Sequence, residues 1–259
     1  MLNRLLIRET LSWWLFRLGF HTPHELSAVR RLYSRRGEVG VMVDVGAHFG
    51  ESLLPFAHTG WQVLAFEPDS VNRKTLLERV HGVDSVTVSP AALGSEERLN
   101  VPFFGSDESS GISSLSAFSE GHRETSRVDV ITLAHACQQY AVQSIDVLKT
   151  DAEGHDFFVL QGLDWDRYSP GVIVCEFEDR KTIPLGYTAV DMADFLVSKG
   201  YSVLVSEWHP IVRYGASHRW RRCVRYADSP PAADSWGNLL AFRRSTDAEM
   251  ALSLLSRAS

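Results

Sequence analysis

The stretch Val41-Met42-Val43-Asp44-Val45-Gly46-Ala47-His48-Phe49-Gly50 decides the fold of this chain. Its first half is apolar and rich in β-branched residues, which indicates a buried strand. An acid and a glycine turn follow, and residues 51–58 are predicted to form a helix. Such a unit is typical of a ligand site, because glycine lets a ligand approach the backbone and the first N–H groups of the helix face it. A buried strand with a tight turn and no ligand is the alternative.

Length and composition place the chain among ordinary globular proteins. Its 259 residues are enough for one large α/β domain or two small ones. Hydrophobic residues make up 44%, and the formal net charge of −6 gives no general reason to bind nucleic acid. Cys137, Cys175 and Cys223 form neither a zinc pattern nor a disulfide framework. We therefore expect a cytoplasmic protein with no nucleic-acid partner.

Residues 1–20 have the pattern of an amphipathic helix, with leucines at helical spacing and arginines between them. No stretch reaches the roughly 18 apolar residues that a membrane-spanning helix needs. We expect this helix to pack on the domain, and an interfacial helix that contacts a membrane is the alternative. A break at Pro23 and a second helix from about Glu25 to Ser34 complete a predicted helical extension over residues 1–38. The main domain is predicted to cover residues 39–259.

Strands and helices alternate through most of this domain. The predicted strands are 41–45, 62–66, 85–88, 145–150, 171–176, 201–206 and 238–242, and the main helices between them are 70–80, 132–140, 157–163 and 190–199. This alternation predicts a doubly wound, mostly parallel sheet whose first two loops meet at its carboxyl edge. The polar stretch 95–129 interrupts it. There we expect a hairpin and a mobile loop, which acts either as a lid or as a solvated excursion.

Dinucleotides and S-adenosylmethionine are two common ligands of such sheets. The dinucleotide fingerprint G-x-G-x-x-G has its second glycine where this chain has His48, whose side chain would crowd a pyrophosphate. Asp44, just before the turn, suits a ligand with an ammonium group and repels a diphosphate. Glu67, at the end of the second strand, indicates a nucleoside but occurs with either ligand. The loop therefore favours S-adenosylmethionine, with an NAD-dependent oxidoreductase as the alternative.

Three motifs together resemble the FkbM family of S-adenosylmethionine-dependent methyltransferases. They are Val43-Asp44-Val45-Gly46-Ala47-His48-Phe49-Gly50, Phe66-Glu67-Pro68 and, as the most specific, Leu148-Lys149-Thr150-Asp151-Ala152-Glu153-Gly154-His155. Weaker matches are Ser113-Ser114-Leu115 and Asn238-Leu239-Leu240. The resemblance covers about residues 40–205. His48 departs from it, because the family often has asparagine there.

The resemblance implies a Rossmann-like class I methyltransferase fold of the α/β class. Its seven-stranded, mostly parallel sheet has an antiparallel last strand and helices on both faces. It also implies methyl transfer to oxygen, commonly on sugar or natural-product hydroxyls. The residues expected to bind the cofactor are Asp44, Gly46, Ala47, His48, Phe49, Gly50, Glu67, Pro68, Ala91 and Asp151.

Methyl transfer to a hydroxyl requires a general base that removes the proton of the hydroxyl. Asp151, Glu153 and His155 follow the fourth predicted strand, next to the cofactor loop at the carboxyl edge of the sheet. We expect Asp151 to lie nearest the sulfonium and the acceptor, with Glu153 and His155 as candidates for proton removal. Structural roles stay open: Asp151 as a helix cap, Glu153 as a partner of the helix dipole and His155 as an exposed helix residue.

The same three residues could instead bind a divalent metal, with Glu176 or Glu178 nearby. Because carboxylate clusters are more often unmetallated, we predict that no metal is used. Lys149 lies inside a buried strand, where an unpaired ammonium would be costly. Its predicted partner is Glu176.

The segment between Trp208 and Trp236 mixes arginines with aromatic residues. It contains Arg213, Arg219, Arg221, Arg222 and Arg225 among Tyr214, Trp220 and Tyr226. We rank an acidic glycan or glycolipid as its ligand first, a structural hairpin second and RNA third. The sequence as a whole predicts an O-methyltransferase that acts on a sugar hydroxyl of a glycan, glycolipid or secondary metabolite. A non-catalytic nucleoside-binding module on the same fold is a further alternative.

Overall fold

The computed structural model describes residues 25–106, 110–211 and 218–256. The predicted amphipathic helix of residues 1–20, with its packing or membrane contact, lies outside the described residues. Helix α1 (Glu25–Arg36) is the described helix of the predicted extension. Val29 and Leu32 on its buried face join the same core as the strands, and the Tyr33 hydroxyl donates to Asp146 O at 2.9 Å. The boundary predicted at residue 38 stays a prediction.

Eleven strands are present in the described part of the chain. They are β1 (Val41–Val45), β2 (Gln62–Phe66), β3 (Val86–Ser89), β4 (Ala92–Gly94), β5 (Arg98–Ser106), β6 (His122–Thr132), β7 (Val147–Thr150), β8 (Val172–Glu178), β9 (Ser202–Trp208), β10 (Trp220–Arg225) and β11 (Trp236–Phe242). The main sheet has the order β10-β9-β11-β8-β7-β1-β2-β3. From β8 to β3 neighbouring strands are parallel, and β11 runs antiparallel between β8 and β9.

This is the predicted class I arrangement, but with one strand more than the seven expected. The eighth strand, β10, lies in the segment between Trp208 and Trp236, where no strand was predicted, and it pairs antiparallel with β9. Its buried residues, Trp220 and Cys223, are three positions apart, and the pairing register shifts between Trp220 and Arg222, so the strand lacks the alternation of a regular half-buried strand. The predicted hairpin is confirmed, since β5 pairs antiparallel with β6, and β4 adds a third strand to that small sheet.

The helices are α2 (Leu54–Ala57), α3 (Ser70–Arg79), α4 (Leu133–Gln139), α5 (Asp156–Gln161), α6 (Asp179–Thr182), α7 (Ala189–Ser198) and α8 (Ser245–Leu255). Local capping sets several of their starts. The Asp69 carboxylate accepts from the backbone N–H groups of Val71 and Asn72 at the start of α3. Thr188 and Asp191 form a reciprocal capping box on α7.

The core occupies both faces of the main sheet, as near-continuous apolar parallel strands require. Met42 and Val147 belong to the cluster on one face, and Val43 and Leu148 belong to the cluster on the other. All three cysteines are buried and free. Within the described ranges, no helix is both long and apolar enough to cross a membrane.

Candidate functional site

The first loop is shaped by contact with a neighbouring strand end. Gly46 has φ +72°, and a Cβ there would lie 1.9 Å from the carbonyl oxygen of Asp151. The Asp151 N–H in turn donates to Val45 O at 3.0 Å, which continues the pairing of β1 with β7. Glycine is therefore needed so that the two loops can meet. This contact brings the first motif against the acid loop of residues 151–155.

The helix predicted at residues 51–58 is reduced to the single turn α2 (Leu54–Ala57). Pro55 explains the late start, because proline lacks an N–H and fits only the first turn of a helix. The first loop is therefore not followed by a long helix whose first N–H groups could face the site. Instead, the N–H of His48 donates to Glu67 Oε2 at 2.6 Å.

Asp44 is fully buried and has internal partners. Ser52 Oγ donates to its carboxylate, and Lys149 Nζ lies 3.2 Å from its Oδ1. Lys149 Nζ also donates to Gly46 O at 2.7 Å and lies 3.6 Å from Asp151 Oδ2. The predicted partner Glu176 is wrong, because Lys149 stands opposite Asp44 in the β1–β7 register. Asp44 thus holds the lysine under the loop and does not line the cavity described below.

Opposing effects set the ionisation of this pair. Burial raises the pKa of Asp44, and the ammonium of Lys149 works against that rise. Burial lowers the pKa of Lys149, but the carboxylates of Asp44 and Asp151 raise it to a value above the ordinary one. The lysine therefore stays charged at neutral pH, and the charged pair compensates two buried groups that would be costly alone.

Glu67 lies at the end of β2 with only 4% of its surface exposed. Its Oε1 accepts from the Asp69 N–H at 2.9 Å and its Oε2 from the His48 N–H. Burial raises its pKa to about 7, although those two hydrogen bonds oppose the rise. A carboxylate offers about four acceptor positions, so lone pairs remain for a ligand.

A segment that we call the serine strap, residues 110–116, crosses from the hairpin to the first two loops. Its Ser110 Oγ lies 3.1 Å from His48 Nε2, and Ser110 O accepts from Asn72 Nδ2 at 2.8 Å. Ser113 Oγ donates to Asp69 Oδ2 at 3.2 Å. The strap therefore covers both cofactor-side loops. That it opens as a lid stays a prediction.

The strap also reaches the acid loop. Ser114 Oγ donates to Glu153 O at 2.9 Å, and Ser116 Oγ lies 2.8 Å from His155 Nε2. Tyr187 donates to Gly154 O at 2.7 Å from the other side. These contacts hold a backbone in which Glu153 has φ +51°, a left-handed value that costs energy in any residue other than glycine.

Asp151, Glu153 and His155 have three different surroundings. The side chain of Asp151 is 42% exposed, whereas Glu153 and His155 are buried. Burial raises the pKa of Glu153 to about 7, against the opposing charge of Lys181. Burial, assisted by the charge of Arg98, lowers the pKa of His155 to about 4. His155 is thus a neutral, buried residue and not the exposed helix residue considered as an alternative.

Lys181, on α6, is a site residue that sequence reasoning missed. Its Nζ lies 2.5 Å from Glu153 Oε2, 2.9 Å from Glu178 Oε2 and 3.2 Å from Glu176 Oε2. Among the described residues, Asp151, Glu153 and Glu176 form a group whose carboxylate oxygens lie close enough together to hold a cation. His155 is not one of them and bonds Ser116 instead. The only sequence signal was a lysine shortly after Glu176-Phe177-Glu178.

A cavity of about 380 Å³ brings these parts together. Of the predicted site residues, those that line it are Gly46, Ala47, His48, Glu67, Pro68, Ala91, Asp151, Glu153 and His155. Asp44, Phe49 and Gly50 do not line it. Asp44 is enclosed by Ser52 and Lys149, and the open side of Gly50 faces Leu76, which a Cβ would approach to 2.7 Å. Asp44 and Gly50 therefore support the loop that lines the cavity, and the predicted cofactor contacts of the site residues stay predictions.

The described arginines between Trp208 and Trp236 mostly face carboxylates of the chain itself. Arg221 pairs with Asp234, and Arg222 Nε lies 2.5 Å from Glu207 Oε1. Trp208 and Trp236 stack with ring centroids 5.5 Å apart. These contacts favour the structural hairpin that we ranked second. Arg213 and Tyr214 lie outside the described residues.

Comparison with known proteins assigns this chain to a family. Residues 44–203 match the model of the methyltransferase FkbM domain. The chain therefore belongs to the FkbM methyltransferase family, and S-adenosylmethionine is its cofactor. A search of curated proteins found no match.

Solved structures similar to this chain include three that are named as methyltransferases. The methyltransferase FkbM from Methylobacillus flagellatus KT is 18% identical, with 85% of this chain covered and a TM-score of 0.48. The chain spans about half (48%) of the length of that protein. Magnesium protoporphyrin IX methyltransferase from Synechocystis PCC 6803, solved with bound SAM, is 11% identical, with coverage of 85% and 78% and a TM-score of 0.44. Precorrin-6y C5,15-methyltransferase from Geobacter metallireducens GS-15 is 13% identical, with 85% of each chain covered and a TM-score of 0.42.

Proposed function

We propose that this FkbM methyltransferase methylates a hydroxyl oxygen of a sugar in a glycan, glycolipid or secondary metabolite. One observation carries the proposal: Glu67, which suits a nucleoside, and the acid loop of residues 151–155 line the same cavity. A hydroxyl acceptor needs a proton acceptor beside the methyl donor, and the acid loop offers candidates.

The residues of the cavity fit the methyl donor. Asn72 lines the cavity, and its Oδ1 is buried without a hydrogen-bond partner among the described residues. Together with the free lone pairs of Glu67, it would accept hydrogen bonds from a nucleoside. Phe66, Leu93 and Phe103 supply apolar lining for a base. S-adenosylmethionine supplies a methyl group on a cationic sulfonium, a charge favoured by the carboxylates around the cavity.

Glu153 is the residue that we propose for proton removal. A base is most effective when its pKa is close to the working pH, and the pKa of about 7 places Glu153 there. His155 has a pKa of about 4 and is bonded to Ser116, so its role is to hold the strap beside the acid loop. We assign the orientation of the acceptor to Asp151, because its side chain is the most exposed of the three. Glu25, Ser52 and Asn238 add polar lining, which suits a hydroxyl-rich molecule.

Calorimetry and mass spectrometry test the two parts of the proposal. S-adenosylhomocysteine should release heat on binding, and NAD should not; no heat with the sulfur ligand would contradict the cofactor assignment. Glycans from cells with the protein should contain a species one methylene unit heavier than those from cells without it. Glu153→Gln should lower that species by roughly a hundredfold. The control is Glu78→Gln, at an exposed glutamate of α3, and a Glu153→Gln variant with full product would remove Glu153 as the base.

A further inference from the structure

Lys181 is a cation enclosed by the acidic cluster. Its side chain is 2% exposed, its Nζ contacts the carboxylates of Glu153, Glu176 and Glu178, and the Phe118 ring lies 5.3 Å from it. Burial lowers the pKa of Lys181, but Glu176 and Glu153 raise it well above its ordinary value. The ammonium therefore stays charged, and it is not part of the cavity lining.

The cluster would be unfavourable without a cation. Burial raises the pKa of Glu176 well above its ordinary value even with Lys181 beside it, and neighbouring Glu153 adds to the rise. Carboxylates this close repel each other, and buried charges persist only when they are paired. The ligand oxygens of Asp151, Glu153 and Glu176 lie within 4.8 Å of one another, which is close enough to share one cation. Lys181 already binds two of these three residues.

We infer that Lys181 is a positioning residue for methyl transfer, whose ammonium takes the place of a divalent metal ion and fixes the Glu153 carboxylate at the cavity. This inference rests on the proposed function, in which Glu153 removes the proton. One ammonium can bind several carboxylates because it carries three donor hydrogens. The acid loop then keeps its arrangement without a metal.

The backbone around Glu153 supports this role. A Cβ at Gly154 would lie 3.2 Å from Lys181 Cβ, so the acid loop packs directly on the stem of the lysine. Ser114 and Tyr187 fix the carbonyl groups of Glu153 and Gly154. Those two contacts set the path of the backbone, and Lys181 alone among the described residues bonds the Glu153 carboxylate with a charged group. Loss of the ammonium should therefore free the side chain while the loop stays in place.

Removal of the ammonium should create a metal site. Calorimetry with Mn²⁺ is expected to show saturable binding to Lys181→Met and none to the wild type or to Lys74→Ala, the control at an exposed lysine. The added substitution Glu176→Gln should abolish the binding gained by Lys181→Met. Mn²⁺ binding to the wild type as strong as to Lys181→Met, or no binding to Lys181→Met, would overturn the inference.

Two further measurements separate this inference from the proposed function. Affinity for S-adenosylhomocysteine should change less than about twofold in Lys181→Met, because Lys181 does not line the cavity. The methylated glycan should fall by about a hundredfold, since misplacement of a reacting group by about 1 Å has that effect. If the wild type binds no S-adenosylhomocysteine, the proposed function fails, while the Mn²⁺ result still decides whether the ammonium of Lys181 takes the place of a metal ion.

Lys181→Met could fail to fold, and a second variant covers that case. Glu153→Gln/Glu176→Gln/Lys181→Met removes the ammonium together with the charges of two of its three carboxylate partners and should raise the melting temperature above that of Lys181→Met without metal. If the triple variant melts no higher than Lys181→Met, charge in the cluster is not what Lys181 compensates, and the inference fails.

Discussion

Replacement of His155 by glutamine should make the protein less sensitive to acid. His155 is neutral in the fold because burial, together with the charge of Arg98, lowers its pKa from 6.5 to about 4. In the unfolded chain the same histidine has an ordinary pKa and takes up a proton at a higher pH. A depressed pKa in the fold therefore contributes stability above about pH 6.5 that is lost as the pH falls towards 4.

The size of the effect follows from that shift. Within the window, each pH unit costs about 1.4 kcal/mol. Between about pH 7.5 and pH 5, His155 should lower the free energy of unfolding by about 2 kcal/mol. Glu67, Glu153 and Asp156 have raised pKa values, so their contribution to the free energy of unfolding increases as the pH falls. This increase masks the loss from His155 when the wild type is measured alone. Comparison of His155→Gln with the wild type removes their contribution.

Urea denaturation followed by tryptophan fluorescence measures the difference. Each protein is unfolded at both pH values, and the change in unfolding free energy is compared between the wild type, His155→Gln and the control His81→Gln. His81 is exposed, so its replacement should leave the pH dependence as it is in the wild type. If His155→Gln loses as much stability on acidification as the wild type does, His155 is not a neutral buried residue.

Three other substitutions test the loops. Lys149→Met leaves Asp44 buried without its ammonium and should cost about 3–5 kcal/mol in urea denaturation, part of which Asp44→Asn/Lys149→Met should recover. Glu67→Gln places an amide donor against the N–H groups of His48 and Asp69. Calorimetry should therefore show that S-adenosylhomocysteine binds about tenfold or more weakly. Equal affinity would remove Glu67 from the nucleoside site. Gly46→Ala would bring a Cβ into collision with the carbonyl oxygen of Asp151. Its melting curve should show that the free energy of unfolding is lower by at least about 2 kcal/mol. An unchanged curve would contradict that contact.

Apolar runs with acidic ends made much of the fold predictable. Val41–Val45 and Gln62–Phe66 are strands as predicted, and the topology rule correctly brought the loops after them together. Local sequence patterns gave wrong predictions where a single residue or a tertiary contact determined the secondary structure. Pro55 limits the helix after the first loop to one turn. The β10 strand exists because it pairs with β9, not because its own sequence alternates clearly.

The candidate site was predictable in its membership more than in its roles. Glu67, Asp151, Glu153 and His155 line one cavity, and each follows a strand of the central sheet. Asp44 also belongs to one of the three family motifs, but its side chain is buried under the first loop. Motif spacing shows which residues end a strand, whereas the side of the loop that a carboxylate faces depends on the neighbouring strand.

The sequence by itself determined the order of the main strands and helices, the FkbM motifs and the residue types at the carboxyl edge of the sheet. Those features are local, because they depend on side-chain periodicity and on residues a few positions apart. Only the tertiary structure decided that Asp44 binds Lys149, that Lys181 enters the acidic cluster and that His155 is neutral. Ion pairs and pKa values depend on burial and on distances of a few ångströms between residues far apart in the chain, and only the folded structure sets those distances.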